Sequence, residues 1–376
     1  MPRKSSTTTT TTSSGQVLDF LKQHDGEHLN FKEEVFYKVS TGSLILDIET
    51  GGGLTPGLHR FCGVNEGGKT SEAFEVMRNF LDSVENSRGF YIKAEGRLSP
   101  EMKERSGINF VIDPNEWEDG SCFVLESNIY ETVFAAMKML VSENNEGKRY
   151  CFIVDSVDGL IPKGDLEKDF GEAHKVAGGA LIASKIMQRI SLDMVKSGHM
   201  MILISQVRSD IQLDPYSKRT VKIASASGGN ALLHYANFIF EFQQKYKGDL
   251  IFENDSDKKI NYKTNRPQGR WAKVAIMKST NESTDLVIPY PIKYGRKDGT
   301  SIWKEYEVMD MMQRNGFLGK AGAWITIDKS VLDDLKENDI ECPEKFQGRK
   351  AFFDFLDNNK EFTDYWYKRF KEAFSD

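Results

Sequence analysis

Residues Gly63-Val64-Asn65-Glu66-Gly67-Gly68-Lys69-Thr70 fit the pattern G-x-x-x-x-G-K-[ST], and they stand between an apolar stretch, Leu58–Gly63, and a stretch of helical period, Lys69–Ser83. A strand, a glycine-rich turn and a helix in that order form a cradle for phosphate. The glycines let backbone N–H groups close on the oxygens, and the positive end of the helix dipole lies behind them. The cradle needs a strand with an open carboxyl end and a helix packed behind it, which a largely parallel sheet flanked by helices provides. In this reading Gly63, Val64, Asn65, Glu66, Gly67 and Gly68 hold the phosphates through their backbone, Lys69 reaches the β- and γ-phosphates, Thr70 ligates Mg²⁺, and Ser71 completes the nucleotide-binding set.

The surrounding pattern agrees. From Leu58 to about Tyr294, apolar runs alternate with amphipathic stretches, which predicts an α/β core. Strands are expected at Leu58–Gly63, Gly89–Ala94, Asn109–Ile112, Tyr150–Asp155, Met200–Ser205, Phe238–Phe242, Ala272–Lys278 and Asp285–Lys293, and helices at Lys69–Ser83, Ser127–Ser142 and Glu172–Lys196. The polar stretch from Lys245 to Trp271 reads as an exposed excursion between two strands. Residues 1–14 form a Ser/Thr-rich tail with too little apolar surface to offset the entropy of ordering it. Residues 15–57 carry a helix around Val17–Leu21 and strand-like pieces at Leu29–Phe31 and Val35–Tyr37, and 58–295 form the core. Residues 296–376 are aromatic-rich, with helical spacing in Trp303–Asn315 and Lys350–Phe374, and read as a C-terminal domain.

Composition excludes several classes. The longest apolar runs, such as Met200–Ile204, are far shorter than the ~18 residues of a membrane span. The N-terminus lacks the pattern of a secretory leader, so the protein is expected in the cytoplasm. Cys62, Cys122, Cys151 and Cys342 are scattered, without metal-ligand spacing, and are expected to be reduced. A net charge of −6 argues against a general polycationic nucleic-acid binder, so any such site must be local.

Two carboxylates extend the phosphate loop into a candidate catalytic set. Asp155 ends the apolar run Phe152-Ile153-Val154, the form expected of an acid that holds the Mg²⁺ shell from the strand neighbouring the loop. Glu95, at the end of Gly89–Ala94, is placed to orient an attacking water.

Taken together these residues resemble the RecA family. Val39–Ile48, the phosphate loop, Ala94-Glu95 followed by Leu98-Ser99-Pro100, Val154-Asp155-Ser156-Val157, Ile161-Pro162-Lys163, Ser205-Gln206-Val207-Arg208 and Gly228-Gly229-Asn230-Ala231-Leu232 stand in that family's order and spacing, from about residue 35 to 295. Lys278-Ser279 after an apolar strand, and a C-terminal half without the bacterial acidic tail, are more similar to the phage UvsX-type recombinases.

The resemblance implies a DNA-dependent ATPase that uses ATP and Mg²⁺. It implies assembly into a helical filament on single-stranded DNA, with strand exchange into double-stranded DNA during recombination and repair. The setting would be a bacterial or phage-infected cytoplasm, with single-strand-binding or loader proteins as further partners. Residue by residue, it makes Glu95 the water-orienting base, Gln206 the γ-phosphate sensor coupled to DNA, and Lys278 a cation offered to the neighbouring subunit's γ-phosphate. It places DNA-binding loops near Glu167–Gly178 and from Val207 to Ser227. Phe170 and Ile211 would wedge between bases, Arg208, Lys218, Arg219 and Lys222 would supply local positive charge, and Gly228, Gly229 and Asn230 join the DNA-binding set.

Some positions depart from the family. Met102 stands where a Tyr stacks on the adenine, Ile276 where a second intersubunit cation is usual, and Thr280 where a UvsX-like Arg would be, leaving Lys273 as a substitute cation. The pieces at Leu29, Phe31 and Val35–Tyr37 resemble a strand that adds to the neighbouring subunit's sheet, and an edge strand within the same chain is the alternative. Rival functional readings are a hexameric helicase of the same fold and a filament or mediator protein that holds ATP as a clamp and hydrolyses little.

Overall fold

The computed structural model describes all residues except 1–11, 96–97, 145, 167–186, 189, 207–233, 253–258, 262, 264, 282–283, 285, 298 and 375–376. Strand β1 (Gly57–Gly63), which leads into the phosphate loop, is buried along its whole length and lies inside a ten-stranded sheet. It pairs in parallel with β6 (Met200–Ile204) on one side and β7 (Ala236–Phe242) on the other. Beyond β6 the sheet continues through β5 (Arg149–Asp155), β2 (Ser87–Lys93), β4 (Ser121–Leu125) and β3 (Asn109–Val111), every pair parallel. Beyond β7 the direction reverses into β9 (Pro267–Lys278) and β10 (Leu286–Lys293), with β8 (Leu250–Phe252) also paired to β9.

Helices cover both faces of the parallel part, which is why both faces of its central strands are buried instead of one. Phe61, Ile153 and Ile202 face α3 (Lys69–Ser83), which buries Ala73, Phe74, Val76, Met77 and Phe80 against them. The intervening residues Phe152, Val154, Met201 and Leu203 face α5 (Tyr130–Ser142) through Val133, Phe134 and Met137. The mostly parallel sheet flanked by helices is therefore as expected, and α3 matches its expected span.

The differences lie in short elements. β4 was not expected, and β5 is not beside β1, because β6 intervenes. Leu29–Phe31 and Val35–Tyr37 are not strands. The Val35 N–H donates to the Lys196 carbonyl at 3.3 Å and the Tyr37 hydroxyl to the Gly198 carbonyl at 2.6 Å, contacts that tie the segment down without building a ladder. The stretch 245–271 is not wholly an exposed excursion. Ile251 and Phe252 are buried in β8, Ile251 packs with Trp303 and Tyr306, and residues from Pro267 onward already belong to β9. Of the helix expected at Glu172–Lys196, residues 190–196 are helical and most of the remainder lies outside the described residues.

The C-terminal part builds α7 (Lys304–Arg314), α8 (Lys329–Glu337), α9 (Gly348–Asn358) and α10 (Lys360–Phe374) around a small antiparallel sheet of β11 (Leu318–Ala321), β12 (Trp324–Ile327) and β13 (Lys345–Gln347). The expected single helix from Lys350 to Phe374 is split at Asn359. There Asn358 and Asn359 turn their side-chain amides onto the carbonyls of Asp354 and Phe355, a local bond that competes with the helix ladder. The core of this region, with Phe352, Leu356, Trp366 and Phe370, also takes in Leu44 from α2 (Leu44–Glu49).

Candidate nucleotide-binding site

The sheet order places four functional strand ends side by side. β1, β6, β5 and β2 are consecutive, and at their carboxyl ends they present Gly63, Gln206, Asp155 and Glu95 respectively. Ligands of open α/β sheets bind at this edge.

The loop's glycines answer to close packing. Gly63 has φ 132°, and a Cβ there would lie 2.3 Å from the Phe242 carbonyl oxygen of β7. Gly68 caps α3 at φ 111°, without a side-chain hydrogen bond. Lys69 is buried, and its ammonium donates to the carbonyls of Gly63 at 3.0 Å and Val64 at 2.7 Å. Burial pulls the Lys69 ammonium below its ordinary pKa, and the Asp155 carboxylate opposes that shift most strongly.

The Thr70 hydroxyl donates to Asp155 Oδ2 at 2.9 Å, and the Tyr91 hydroxyl to the same oxygen at 3.2 Å. Burial pushes the Asp155 carboxyl up, while these two hydrogen bonds and Lys69 pull it down. A hydroxyl and a carboxylate in contact behind a phosphate loop are the hard oxygen donors that Mg²⁺ takes, and nearby positive charge would favour the ionised Asp155. The pair fits the ion.

Glu95 is exposed, and its backbone N–H donates to the Asp155 carbonyl at 3.2 Å. Gln206 Nε2 donates to Glu95 Oε2 at 3.4 Å, while the Gln206 backbone N–H donates to Asp158 Oδ2 at 2.7 Å. Lys69, Thr70, Asp155, Glu95 and Gln206 thus form one site. Met102, in α4 (Pro100–Ser106), is half-buried and lines a cavity of about 300 Å³ that meets the loop at Gly68 and Ser71.

Lys278 is not part of this cluster. It pairs in register with Ile239 of β7, whereas Gly63 pairs with Phe242, and its ammonium donates to the His234 carbonyl at 2.8 Å. Ile276 is fully buried between strands, and Lys273 is 2.5 Å from Asp249, so neither is poised at this chain's own loop. Phe170, Arg208, Ile211, Lys218, Arg219, Lys222, Gly228, Gly229 and Asn230 lie outside the described residues.

Sequence reasoning missed Tyr91 and Asp158. Tyr91 stands in an apolar run and reads as core, and Asp158 follows Asp155 without a pattern of its own. Their signal is positional, since Tyr91 lies in the carboxyl half of β2 and Asp158 just beyond β5, two neighbouring strands whose carboxyl ends carry Glu95 and Asp155.

A family model, RecA N-terminal domain, matches residues 26–280. The chain belongs to that family. Among its relatives are proteins named Protein RecA, from Allochromatium vinosum, 26% identical over 305 residues that cover 80% of this chain and 76% of the relative, and from Marinobacter nauticus, 27% identical over 310 residues that cover 81% and 78%. A crystal structure of the RadB recombinase aligns with a TM-score of 0.45 at 15% identity, covering 69% of this chain and 97% of that one. Among the described residues of this RecA-family chain, no helix is long and apolar enough to cross a membrane.

Proposed function

We propose that the chain is a DNA-dependent ATPase that polymerises on single-stranded DNA and promotes homologous pairing and strand exchange in recombination and repair. The observation that carries this reading is the position of Gln206. Its side chain touches Glu95, its backbone is held by Asp158, and the next residue opens the segment expected to bind DNA. A change at the phosphate end therefore has a direct covalent route to that segment. Family membership and the relatives named Protein RecA support the same reading.

In this proposal Lys69 exchanges its loop carbonyls for phosphate oxygens, Glu95 orients the attacking water, and Gln206 responds to the γ-phosphate. Thr70 and Asp155 would hold Mg²⁺, which supplies positive charge against the negative charge of the phosphates. Lys278, remote from its own loop, would serve the next subunit. Exposed Phe31 and Phe36 support a role for residues 15–57 in polymerisation, with 58–295 as the ATPase core and 296–376 as a C-terminal domain. Lys278-Ser279 and the C-terminal half favour a phage UvsX-like variant of this function.

Electron microscopy of the protein with ATP and single-stranded DNA, paired with ATPase assays with and without DNA, tests the proposal. Helical filaments and DNA-stimulated hydrolysis are expected. Closed rings would point to a helicase, and filaments with negligible turnover to a clamp-like mediator; either result overturns the reading.

A further inference from the structure

β1 carries an arginine in the middle of a fully buried strand. Arg60 is 1% exposed, and its strand neighbours on the same face, Leu58 and Cys62, pack in the apolar cluster that holds Phe152 and Leu203. Burial pulls its guanidinium below the ordinary pKa, with Cys62 and Asp158 acting against that shift. Taking a guanidinium out of water is costly, and well-packed apolar residues in place of buried ionic groups are often as stable or more so. Fold stability therefore gives little reason for a cation here, and its contacts give a better one. Arg60 Nε donates to the Ser205 Oγ at 3.1 Å. Ser205 is buried as well, and its backbone N–H donates to the Phe61 carbonyl at 2.9 Å.

β6 lies between β1 and β5, and the two residues just past its end are gripped from both neighbours. From the β1 side Arg60 holds the Ser205 hydroxyl. From the β5 side Asp158 accepts the Gln206 N–H at 2.7 Å. The short turn Val157–Gly159 that carries Asp158 also packs against Glu95, since a Cβ on Gly159 would lie 2.4 Å from Glu95 Cγ. These grips fix the backbone and leave the Gln206 side chain as the movable part, with its longer contact to Glu95 at 3.4 Å. A displacement of that side chain then passes into the chain that follows instead of being absorbed by slack at the end of β6. We propose that Arg60 is a positioning residue for the coupling of ATP hydrolysis to DNA: it anchors Ser205 and, with Asp158, fixes the peptide from which Gln206 acts. This inference rests on the proposed DNA-dependent ATPase and adds the residue that makes its coupling rigid.

ATP turnover and KM for ATP, measured with and without saturating single-stranded DNA, test it. Arg60→Met keeps an unbranched chain and removes the donor. It should cut the stimulation by DNA about 10-fold, the size expected of one hydrogen bond to a charged group, while DNA-free turnover and KM stay within about twofold. Ser205→Ala removes the acceptor, leaves Arg60 in place and should lower the stimulation in the same way. The double variant should lose no more than Arg60→Met alone, because the two residues act as one unit. A role in packing alone would lower DNA-free and DNA-stimulated turnover together. Unchanged stimulation in folded Arg60→Met, a parallel fall of both turnovers, or losses that add in the double variant overturns the proposal. If Arg60→Met does not fold, Ser205→Ala decides, and undiminished stimulation in it overturns the proposal. Wild-type turnover that ignores DNA removes the DNA-dependent reading and this inference with it, whereas a wild-type response shared equally by the variants removes this inference alone.

Discussion

Two regions of the molecule bury carboxylates, and they treat them differently. At the phosphate loop, half-buried Asp155 is held by two neutral hydroxyls, Thr70 and Tyr91. At the seam between α2 and the C-terminal helices, fully buried Asp47 takes the Thr41 backbone N–H at 2.7 Å, the hydroxyls of Ser40, Thr41 and Tyr367, and the Lys371 ammonium at 2.7 Å. Glu307 beside it accepts from the Ser43 hydroxyl at 2.6 Å and the Leu44 N–H at 2.9 Å. The seam supplies its own cation and so fastens chain segments together. The loop end offers Asp155 hydroxyls, and in the proposed reaction the matching divalent charge would come with the nucleotide.

The largest expected effect is on the loop side. Lys69→Ala should lower ATP turnover by ~10³-fold or more, with little change in stability, since the ammonium contacts only loop carbonyls. Turnover near the wild-type rate would remove the loop from the mechanism. The converse belongs to the seam. Asp47→Ala should cost about 3–5 kcal/mol in urea unfolding, because it leaves the buried Thr41 N–H and hydroxyl without their acceptor and takes the partner from the half-buried Lys371 ammonium. A loss under ~1 kcal/mol would mean that the two regions do not differ as drawn.

A smaller effect separates them by pH. Burial raises the Glu307 carboxyl to about 7, above its ordinary 4.5. Its folded-state pKa exceeds its unfolded one, so the stability tied to its protonation is complete below about 4.5 and is lost as pH rises to about 7, by about 3 kcal/mol. Glu307→Gln should remove that slope, and a wild-type-minus-variant stability difference that stays flat from pH 4.5 to 7 would refute the assignment. The smallest effect returns to the loop. Tyr91→Phe removes one hydroxyl from Asp155 and should cost ~1 kcal/mol, read as a shift in the unfolding midpoint. A loss near that of Asp47→Ala would show that Tyr91 has a structural role like the seam's.

The candidate site was partly legible because its pieces are local. The phosphate loop is eight consecutive residues, and Asp155 and Glu95 each stand at or just past the end of an apolar strand, where the apolar run stops at a carboxylate. β4, β8 and the small C-terminal sheet, with strands of three to five residues, escaped the reading, although β3 and β6, of three and five residues, did not. Tyr91 escaped because a hydroxyl inside an apolar run looks like core.

The phosphate cradle, the mostly parallel α/β layering and the carboxylates at the strand ends could be read along the chain, since backbone conformation and apolar runs are properties of neighbouring residues. Only the tertiary structure decided that β6 separates β1 from β5, that Lys278 stays away from its own loop, and that Asp47 meets Lys371. Those pairings join residues from distant parts of the chain. They are set by how helices and strands pack in three dimensions, which no local pattern of side chains records.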